Sequence, residues 1–507
     1  MKKNLCGLFL IGFMMLSGIA GAETILADFT GIPTSGTSPL DVQFYDLSKG
    51  TPSGWAWYFG DETYREAWIR QNVSSGWEGR NNHNSVAMPD GSIVLTGGHY
   101  YGGQTGIIVR NDTWQSTDKG FTWILQNNSS GWTERELHSS VVLSDGSIVL
   151  MGGQGVGGAK NDVWRSEDHG VTWTQVKPND DVGWPARMSH SSVAMPDGSI
   201  VLTGGYITSA RMNDVWRSED KGATWTELTP PIERDPWGDW TSGGANWSPR
   251  HNHCSVAMPD GSIVLMGGYA AVPLPSGAKN DTWRSTDNGA TWILQNGSSG
   301  WKGRFDFSCA AMPDGSIVIM GGGIGGSPGF TKDVWRSTNN GVTWTQLPDA
   351  GWTARGYHSS VVMPDGSIVL MGGWDSNHYF NDTWRFQPAG SSSKNPRHTY
   401  TGIAGKKFNV SLQVYNGNGY NSTRKTEYIC IGVSALPLPG FANRPTDPDG
   451  DCIYEDLNAN GRLDFADVVL YFNQMTWIAA HEPIPAFDLN GNGRIDFADI
   501  VALFNEI

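Results

Sequence analysis

The sequence predicts a mainly β protein of several domains that ends in a small helical unit. Its 507 residues exceed the size of a single hydrophobic core. They include 66 glycines and 24 tryptophans but only 17% charged residues, a composition typical of many short strands joined by tight turns. A unit of about 50 residues recurs six times along the middle of the chain, and a shorter segment near the C-terminus is duplicated.

Residues 1–22 have the layout of a secretory signal peptide, which predicts a secreted, extracellular protein that could associate with a cell surface. Two lysines precede an apolar run, Leu5 to Leu16, and small residues follow up to Ala22. No later stretch of about 18 apolar residues could span a bilayer. The net charge of −15 disfavours nucleic acids and anionic lipids as partners, because such a surface repels them.

The cysteines of the mature chain are few and widely spaced. They are Cys254, Cys309, Cys430 and Cys452. Secretion would permit disulfides, but these positions are scattered over what the sequence divides into separate units. The spacing therefore predicts no disulfide framework.

The phrase Asp-Gly-Ser-Ile-Val defines the repeat. Its aspartates are Asp90, Asp145, Asp197, Asp260, Asp314 and Asp365. A glycine pair follows each of them, and then an Asp-x-Trp motif ending at Trp114, Trp164, Trp216, Trp283, Trp335 and Trp384. Each copy contains four short strand patterns separated by Asp-Gly or Asp-x-Gly turns. One copy therefore predicts one blade, and the six copies a six-bladed β-propeller over residues 63–390.

Two further motifs carry a resemblance to known propellers. The glycine pair and the tryptophan of the fourth strand resemble kelch repeats. Ser-x-Asp-x-Gly-x-x-Trp, as in Ser116 to Trp123, resembles the Asp-box of sialidase-type propellers and is intact in four copies. We expect the aspartate to accept backbone hydrogen bonds in its turn and the tryptophan to pack between neighbouring sheets.

The sixth copy breaks off after Trp384, before its fourth strand. The segment Ala67–Trp77, which precedes the first copy, closely matches Thr291–Trp301 in the fourth. We therefore predict that Trp68 to Asn72 pair with the third strand of the sixth blade near Trp384. This pairing would close the ring and leave no open sheet edge.

Two partial motifs on either side of the repeats complete each other. Trp55 to Glu62 read WAWYFGDE, and residues 395–433 contain a His-Thr-Tyr motif and a strand with alternating apolar residues, Phe408, Val410, Leu412 and Val414. Together with Ala27 to Gly31, they resemble a PKD domain, an immunoglobulin-like β-sandwich. The resemblance implies one sandwich made of residues 23–62 and 391–433, with the propeller inserted between its halves.

The duplicated C-terminal segments begin at Asp456 and Asp488 and are identical at 13 of 20 positions. Each opens with a calcium-loop pattern, which places oxygen side chains at positions 1, 3, 5, 9 and 12, a glycine at 6 and a backbone carbonyl at 7. The first loop offers Asp456, Asn458, Asn460, Asp464 and Asp467 with the carbonyl of Arg462. The second offers Asp488, Asn490, Asn492, Asp496 and Asp499 with the carbonyl of Arg494. The sequence thus predicts two calcium ions.

Apolar residues with helical spacing follow each loop and predict one helix there. They are Phe465, Val468, Val469 and Phe472 after the first loop, and Phe497, Ile500, Val501 and Phe504 after the second. After a linker at 434–443, residues 444–507 resemble a dockerin module. The resemblance implies calcium-dependent docking to a cohesin-type domain of a scaffold or surface protein. In dockerin modules the residues that recognise the partner lie at positions 10 and 11 of each loop. These positions are Phe465-Ala466 and Phe497-Ala498 in this chain.

Other candidate residues lie in the repeats. An arginine precedes the first strand of each copy, at Arg80, Arg135, Arg187, Arg250, Arg304 and Arg355, three residues before a histidine or, once, Phe307. These arginines could bind a carboxylate at the channel mouth, as in a sialidase, but their sixfold repetition favours structural bonding between blades. Trp237 and Trp240, in the longest insertion, could stack on sugars or simply pack within their loop.

Two functions from different classes remain open. One is a non-catalytic binding or adhesion protein, whose propeller presents a surface for a glycan or protein ligand and whose dockerin-like module attaches it to an assembly. The other is a carbohydrate-active enzyme, a glycoside hydrolase, which would require a pair of carboxylates at the channel mouth. No unique pair of this kind can be identified in the sequence, and we predict no catalytic residue.

Overall fold

The structure is a computed structural model that describes residues 24–62, 68–208, 210–229, 233–234, 240–241, 245–270, 277–325, 329–387, 390–432, 435–448 and 452–507. The signal peptide that the sequence predicts lies outside these residues. Strands far outnumber helices, which confirms the mainly β prediction. None of the described helices has the length and apolar character needed to cross a bilayer.

The repeats form six antiparallel sheets, which we number 1 to 6 in chain order. Sheet 1 contains Asn84–Ala87, Ile93–Thr96, Thr113–Ser116 and Ile124–Asn127. Sheet 2 contains Ser139–Val142, Ile148–Gly155, Gly158–Ser166 and Thr174–Lys177, with Arg135–Glu136 beside them. Sheet 3 contains Ser191–Ala194, Ile200–Ile207, Ala210–Ser218 and Thr226–Glu227.

Sheets 4 to 6 repeat this order. Sheet 4 contains Cys254–Ala257, Ile263–Met266, Thr282–Ser285 and Ile293–Asn296. Sheet 5 contains Ser308–Ala311, Ile317–Ile324, Phe330–Ser337 and Thr345–Leu347, with Arg304–Phe305 beside them. Sheet 6 contains Ser359–Val362, Ile368–Met371, Thr383–Phe386 and Ile69–Asn72. Short strand pairs join His99–Tyr101 to Ile107–Val109, Arg250–His251 to Tyr269–Ala270, and Glu233–Arg234 to Trp240–Thr241.

The first strands of the six sheets adjoin one another in cyclic order, with sheet 6 next to sheet 1. One residue just before each first strand donates its amide to the carbonyl of the equivalent residue in the preceding repeat, at 2.9–3.2 Å. These residues, which we call the backbone cycle, are Asn82, Leu137, Ser189, Asn252, Asp306 and Tyr357. All six have a positive φ, between 53° and 57°. The last bond, from Asn82 to Tyr357, closes the cycle.

The fourth strand of sheet 6 comes from the N-terminal side of the repeats. Ile69–Asn72 pairs antiparallel with Thr383–Phe386, and Arg70 lies opposite Trp384. This is the strand pairing that the sequence match predicts. The preceding Trp68 is buried with Trp352 and Phe386 in the same apolar cluster, so the donated strand is also anchored by packing.

The Asp-box turns have the bonding that the motif predicts. In the first copy, Asp118 accepts hydrogen bonds from the backbone amide of Thr122, at 2.7 Å, and from its hydroxyl. Trp123 packs edge-to-face on Trp77, with the ring centres 6.2 Å apart. The same bonds recur at Asp168, Asp220 and Asp287. These turns lock the corner between the third and fourth strands and fill the space between sheets.

Strands from both sides of the repeats share two further sheets. The first combines Phe29–Ile32 and Leu40–Asp46 with Arg397–Tyr400. The second combines Ser35–Gly36 and Gly54–Tyr58 with Lys406–Asn416 and Gly419–Ile431. One buried apolar cluster, which includes Phe29, Phe44, Trp57 and Val410, lies between them. We call these two sheets the terminal sheets; the domain boundaries drawn from the sequence stay a prediction.

The prediction that the cysteines form no disulfides is wrong. Cys254 is bonded to Cys309, and Cys430 to Cys452. The first bond joins the first strands of sheets 4 and 5, which lie side by side in the cycle although their cysteines are 55 residues apart. The second joins the last strand of the terminal sheets to the C-terminal segment. Folding therefore brings together cysteines that the sequence assigns to separate units.

The C-terminal segment contains two helices, α1 (Phe465–His481) and α2 (Phe497–Glu506), with a short 3-10 turn, Ile484–Ala486, between them. Another 3-10 turn, Gly103–Thr105, lies in the first repeat. Aspartates cap both helices: Asp464 and Asp496 accept hydrogen bonds from the first-turn amides. The core between the helices includes Tyr471, Ile478 and Leu503. Each helix therefore begins inside a loop that the sequence predicts to bind calcium.

Buried histidines make the stability of the cycle depend on pH. His138, His190, His253 and His358 each bond a hydroxyl of the preceding repeat, at 2.8–2.9 Å. Burial and, to a lesser extent, the neighbouring arginine charge lower the pKa of each imidazole to about 3. The unfolded chain therefore binds more protons between pH 3 and 6.5, and stability falls as pH falls through this window.

We expect His190→Phe to flatten this pH dependence. Phe307 already occupies the equivalent place in sheet 5, where it is buried, so the ring can be accommodated. Between pH 6.5 and 5 the variant should lose about 2 kcal/mol less unfolding free energy than the wild type. Denaturant unfolding at both pH values measures the difference. The exposed His378→Phe is the control, and an equal slope in the wild type and His190→Phe would contradict the prediction.

Candidate functional site

A cavity of about 500 Å³ lies at the end of the cycle where the first strands begin. We call it the cup. Five of the six residues of the backbone cycle line it, so it sits at the centre of the six sheets. Its volume is in the range of pockets that hold drug-sized ligands.

The cup is built from the two positions that the repeat leaves variable. Between the constant arginine and the residue three places later, the six copies have Asn81-Asn82, Glu136-Leu137, Met188-Ser189, His251-Asn252, Phe305-Asp306 and Gly356-Tyr357. The flanking arginines are fully buried, whereas most of the variable residues line the cup. The constant residues thus hold the turns in place, and the variable ones give the cup its chemistry.

Aromatic rings form much of the wall. On one side Tyr206 and His251 lie 5.5 Å apart between ring centres. On the other, Trp374 lies 6.2 Å from Tyr357 and 6.3 Å from Tyr379. All five residues line the cup. Such rings offer an apolar face and, in tyrosine and tryptophan, a polar edge.

Glu136 is the only carboxylate among the residues that line the cup in the described part of the chain. Its Oε2 accepts a hydrogen bond of 2.8 Å from the side chain of Asn82. The same oxygen forms a hydrogen bond of 2.5 Å with Nδ1 of His99. Burial alone would raise the pKa of Glu136, but the bond to His99 and the charge of that ring outweigh it, so the pKa is lowered. The carboxylate is therefore ionised at neutral pH and held in place by two partners.

A second acid lies in the backbone cycle next to the cup. Burial raises the pKa of Asp306 to about 8, although a hydrogen bond with Tyr357 opposes the shift. Burial also raises the pKa of Tyr357, together with the charge of Asp306. Near pH 7, Asp306 is thus mostly protonated, and Oδ2 of this side chain has no hydrogen-bond partner among the described residues.

The terminal sheets lie at the opposite end of the cycle. Tyr58 donates a hydrogen bond of 3.2 Å to the carbonyl of Gly366, and Gln413 one of 2.7 Å to that of Pro364, in the turn that ends the first strand of sheet 6. Tyr420 lines a second cavity, of about 290 Å³, between the first strands. The terminal sheets thus cover the end of the cycle that lies opposite the cup.

The six arginines do not face a ligand. Each forms a bidentate ion pair, at 2.6–3.2 Å, with the aspartate of the Asp-x-Trp motif in the same repeat. That aspartate also accepts a hydrogen bond of 2.8 Å from the indole N–H of the motif's tryptophan. The pairs lie within one repeat, whereas the interpretation from sequence placed them between blades. The histidines, in contrast, bond to hydroxyls of the preceding repeat. Trp237 and the side chain of Trp240 lie outside the described residues.

The first predicted calcium loop is folded around its own carboxylates. Asp456 accepts backbone hydrogen bonds from Asn460, at 3.0 Å, and Gly461, at 2.7 Å. Asp467 accepts bonds from the backbone and side chain of Asn458 and from the amide of Asp464. Burial and the nearby charges of Asp456 and Asp464 raise the pKa of Asp467. The carboxylates at positions 1 and 9 therefore lie near enough to the one at position 12 for their charges to act on it.

The second loop repeats this geometry. Asp488 accepts bonds from Asn492, at 3.0 Å, and Gly493, at 2.7 Å, and Asp499 accepts bonds from Asn490 and Asp496. The position-12 aspartates of both loops are fully buried. The described residues contain no cluster of three His, Cys, Asp or Glu side chains arranged as metal ligands, so a cation here would also require amide and carbonyl oxygens, which the pattern supplies.

The two helices expose an apolar patch beside the loops. It consists of Phe465, Val469 and Phe472 on α1 and Phe497, Val501 and Phe504 on α2, each between 43% and 59% exposed. Phe465 contacts Phe504 edge-to-face, and Phe472 contacts Phe497 in the same way, both at 6.3 Å. The duplication thus gives the patch two matching halves. Helical spacing alone could not tell these exposed residues from the buried Val468 and Ile500.

Comparison with known proteins gives distant matches, and no family model matches the chain. The chain is 27% identical over 168 residues to a xyloglucanase of a Paenibacillus species, across 32% of this chain and 15% of that protein. It is 27% identical over 201 residues to Adagio-like protein 1 of Oryza sativa subsp. japonica, across 34% of this chain and 31% of that protein. It is 24% identical over 297 residues to multiple epidermal growth factor-like domains protein 8 of Mus musculus, across 56% and 10%. The matched regions cover less than a third of each relative.

The calcium loops are among the sites predicted from the sequence, whereas the cup is not. A signal for the cup was present, because no two of the six turns have the same pair of residues between the arginine and the nearly constant histidine, although the turns are otherwise similar. Repeats keep the residues that build their scaffold, so a variable pair inside a constant frame indicates a surface that serves something else.

Proposed function

We propose that the protein is a secreted, non-catalytic binding protein made of a presenting body and an attachment module. The body is a six-bladed β-propeller inserted in a PKD-like sandwich, and the module at 444–507 is of the dockerin type. The cyclic order of the sheets, the bond from Asn82 to Tyr357 and the donated strand Ile69–Asn72 support the propeller. Strands from both sides of the repeats that share one core support the sandwich.

The exposed apolar patch on α1 and α2 carries the attachment function. Six apolar side chains in one patch on a small helical unit are typical of a surface that a partner covers. The patch begins directly at the loops, because Phe465 and Phe497 follow the capping aspartates. A cohesin-type domain of a scaffold or surface protein is the partner that fits the dockerin-like pattern, and binding would depend on the loops that orient the helices.

Two calcium ions would hold this module in shape. Three carboxylates and two asparagine oxygens in each loop are the hard oxygen donors that calcium prefers. Bound calcium would supply the positive charge that offsets the crowded carboxylates. The ligands would be Asp456, Asn458, Asn460, the Arg462 carbonyl, Asp464 and Asp467, and in the second loop Asp488, Asn490, Asn492, the Arg494 carbonyl, Asp496 and Asp499.

Secretion agrees with the two disulfides, because such bonds persist in oxidising, extracellular surroundings. The alternative function, a glycoside hydrolase that acts in polysaccharide breakdown, is favoured by the similarity to a xyloglucanase. Hydrolysis of a glycosidic bond uses two carboxyl groups beside that bond. Among the described residues that line the cup, Glu136 alone carries a carboxyl group, so binding without turnover is the better-supported function.

We expect Asp456→Asn to remove one of two calcium ions. Position 1 supplies a charged ligand, so its loss should leave only the second loop filled, at dissociation constants of about 0.1 to 1 mM. Calcium titration of the chelator-treated full chain by calorimetry measures the stoichiometry. Arg462→Ala is the matched control inside the same loop, because only its backbone carbonyl is used. Two ions bound to Asp456→Asn would contradict the site.

We expect the double variant Phe472→Ser, Phe504→Ser to lose cohesin binding. Removing two exposed rings from one patch should weaken capture by immobilised cohesin domains about 30-fold or more, and chelator should abolish capture of the wild type. Ile403→Ser, which removes an apolar side chain that is 81% exposed elsewhere, is the control. Unchanged capture of the double variant, or capture of the wild type in chelator, would refute the attachment role.

A further inference from the structure

We infer that the cup is a binding site for a neutral saccharide unit, whose ring stacks on Trp374 and Tyr357 and whose hydroxyls bond to Glu136 and the asparagine side chains. This inference rests on the proposed binding function and names the ligand class of its presenting body. It concerns one end of the propeller and not the attachment module. It is carried by the position of the cup, its aromatic wall and its unpaired polar atoms.

The aromatic wall suits the flat, C–H-bearing faces of a sugar ring. Tyr357, Trp374 and Tyr379 form a continuous group, and Tyr206 faces the same cavity. Stacking on such rings requires no charge. A cavity that combines aromatic rings with a few fixed polar groups is a usual form of a small-ligand site.

Several polar atoms of the cup await a partner. Asn81 is 4% exposed, yet its Oδ1 has no hydrogen bond among the described residues, and the same holds for Nδ1 of His251. Both bonds of Glu136 are made by Oε2, so Oε1 is available to a ligand donor. Buried polar groups are nearly always bonded, so Asn81 and His251 have hydrogen-bonding capacity that a side-chain rotation towards the cup would satisfy.

The chemistry of these groups points to hydroxyls and away from ions. Three of the lining residues, Asn81, Asn82 and Asn252, carry amides, which both donate and accept hydrogen bonds, as sugar hydroxyls do. An anionic ligand would meet the ionised Glu136, and the six arginines of the turns are fully buried and paired with aspartates. The charge of Arg211 reaches His251 in the wall, but Arg211 is not among the described residues that line the cup. A cationic ligand would have to share Glu136 with His99 and Asn82, which already hold it.

The cup lies at the end of the cycle that the terminal sheets leave uncovered. The terminal sheets cover the other end through Tyr58, Gln413 and Tyr420. A chain of sugar units could therefore enter the cup with its terminal unit, while the rest of the glycan stays outside. The site would then recognise the end of a glycan chain.

The test uses the full-length protein and an array of neutral oligosaccharides of glucose, xylose, galactose and mannose, followed by calorimetry with each oligosaccharide that binds. We expect at least one to bind, Trp374→Ala and Glu136→Gln to weaken it about tenfold or more, and Glu134→Gln to bind like the wild type. Glu134 is an exposed acid two residues from Glu136, so this control removes the same charge outside the cup. Unchanged unfolding midpoints would show that the variants are folded.

The outcomes separate the inference from the proposed function. Absence of binding to every neutral glycan, or binding that both cup variants retain, overturns the saccharide site, while calcium-dependent cohesin capture would leave the attachment role standing. Binding confined to anionic glycans also overturns it. Shortened oligosaccharides after incubation, lost in Glu136→Gln, would support the saccharide site and refute the non-catalytic function.

Discussion

The backbone cycle is the constraint on which the rest of the structure depends. Six residues, one from each repeat, accept a left-handed backbone conformation that non-glycine residues normally avoid, and each bonds to its neighbour around the centre. Such residues cost about 1–3 kcal/mol each and persist only where their surroundings fix them. The buried ion pair beside each one, such as that of Arg187 and Asp214, supplies that fixation. Removing either partner would leave an unpaired buried charge, at a cost of about 3–5 kcal/mol.

This arrangement separates scaffold from function within a single short turn. The arginine points into its own sheet, and the histidine bonds to the preceding sheet. The side chains of the two residues between them take part in neither contact, so they can differ between repeats without disturbing the cycle. A glutamate, several asparagines and a tyrosine thus meet at the cup. The C-terminal segment follows a similar logic, because its buried aspartates shape the loops and the helices leave six apolar side chains exposed.

Much of the scaffold could be predicted from sequence because it is encoded locally. The turn Asp-Gly-Ser, the Asp-box and the matching segment Ala67–Trp77 each carry their own signal, and the strand Ile69–Asn72 pairs where that match indicates. The bond between Cys254 and Cys309 could not be predicted in this way, since it depends on two first strands lying side by side. Predicting the cup likewise requires knowing which first strands lie side by side. Spacing also could not separate the exposed Phe472 from the buried Tyr471 next to it.

The most direct test of this account is amide hydrogen exchange of the full-length protein, resolved for the six residues of the backbone cycle. If the cycle is closed, the amide of Asn82, which bonds across the junction between sheets 6 and 1, should exchange as slowly as those of Leu137 and Ser189 inside the chain of repeats. The strand Ile69–Asn72 should be protected to the same degree. Fast exchange at Asn82 and in this strand, with slow exchange at the other five positions, would contradict a closed cycle.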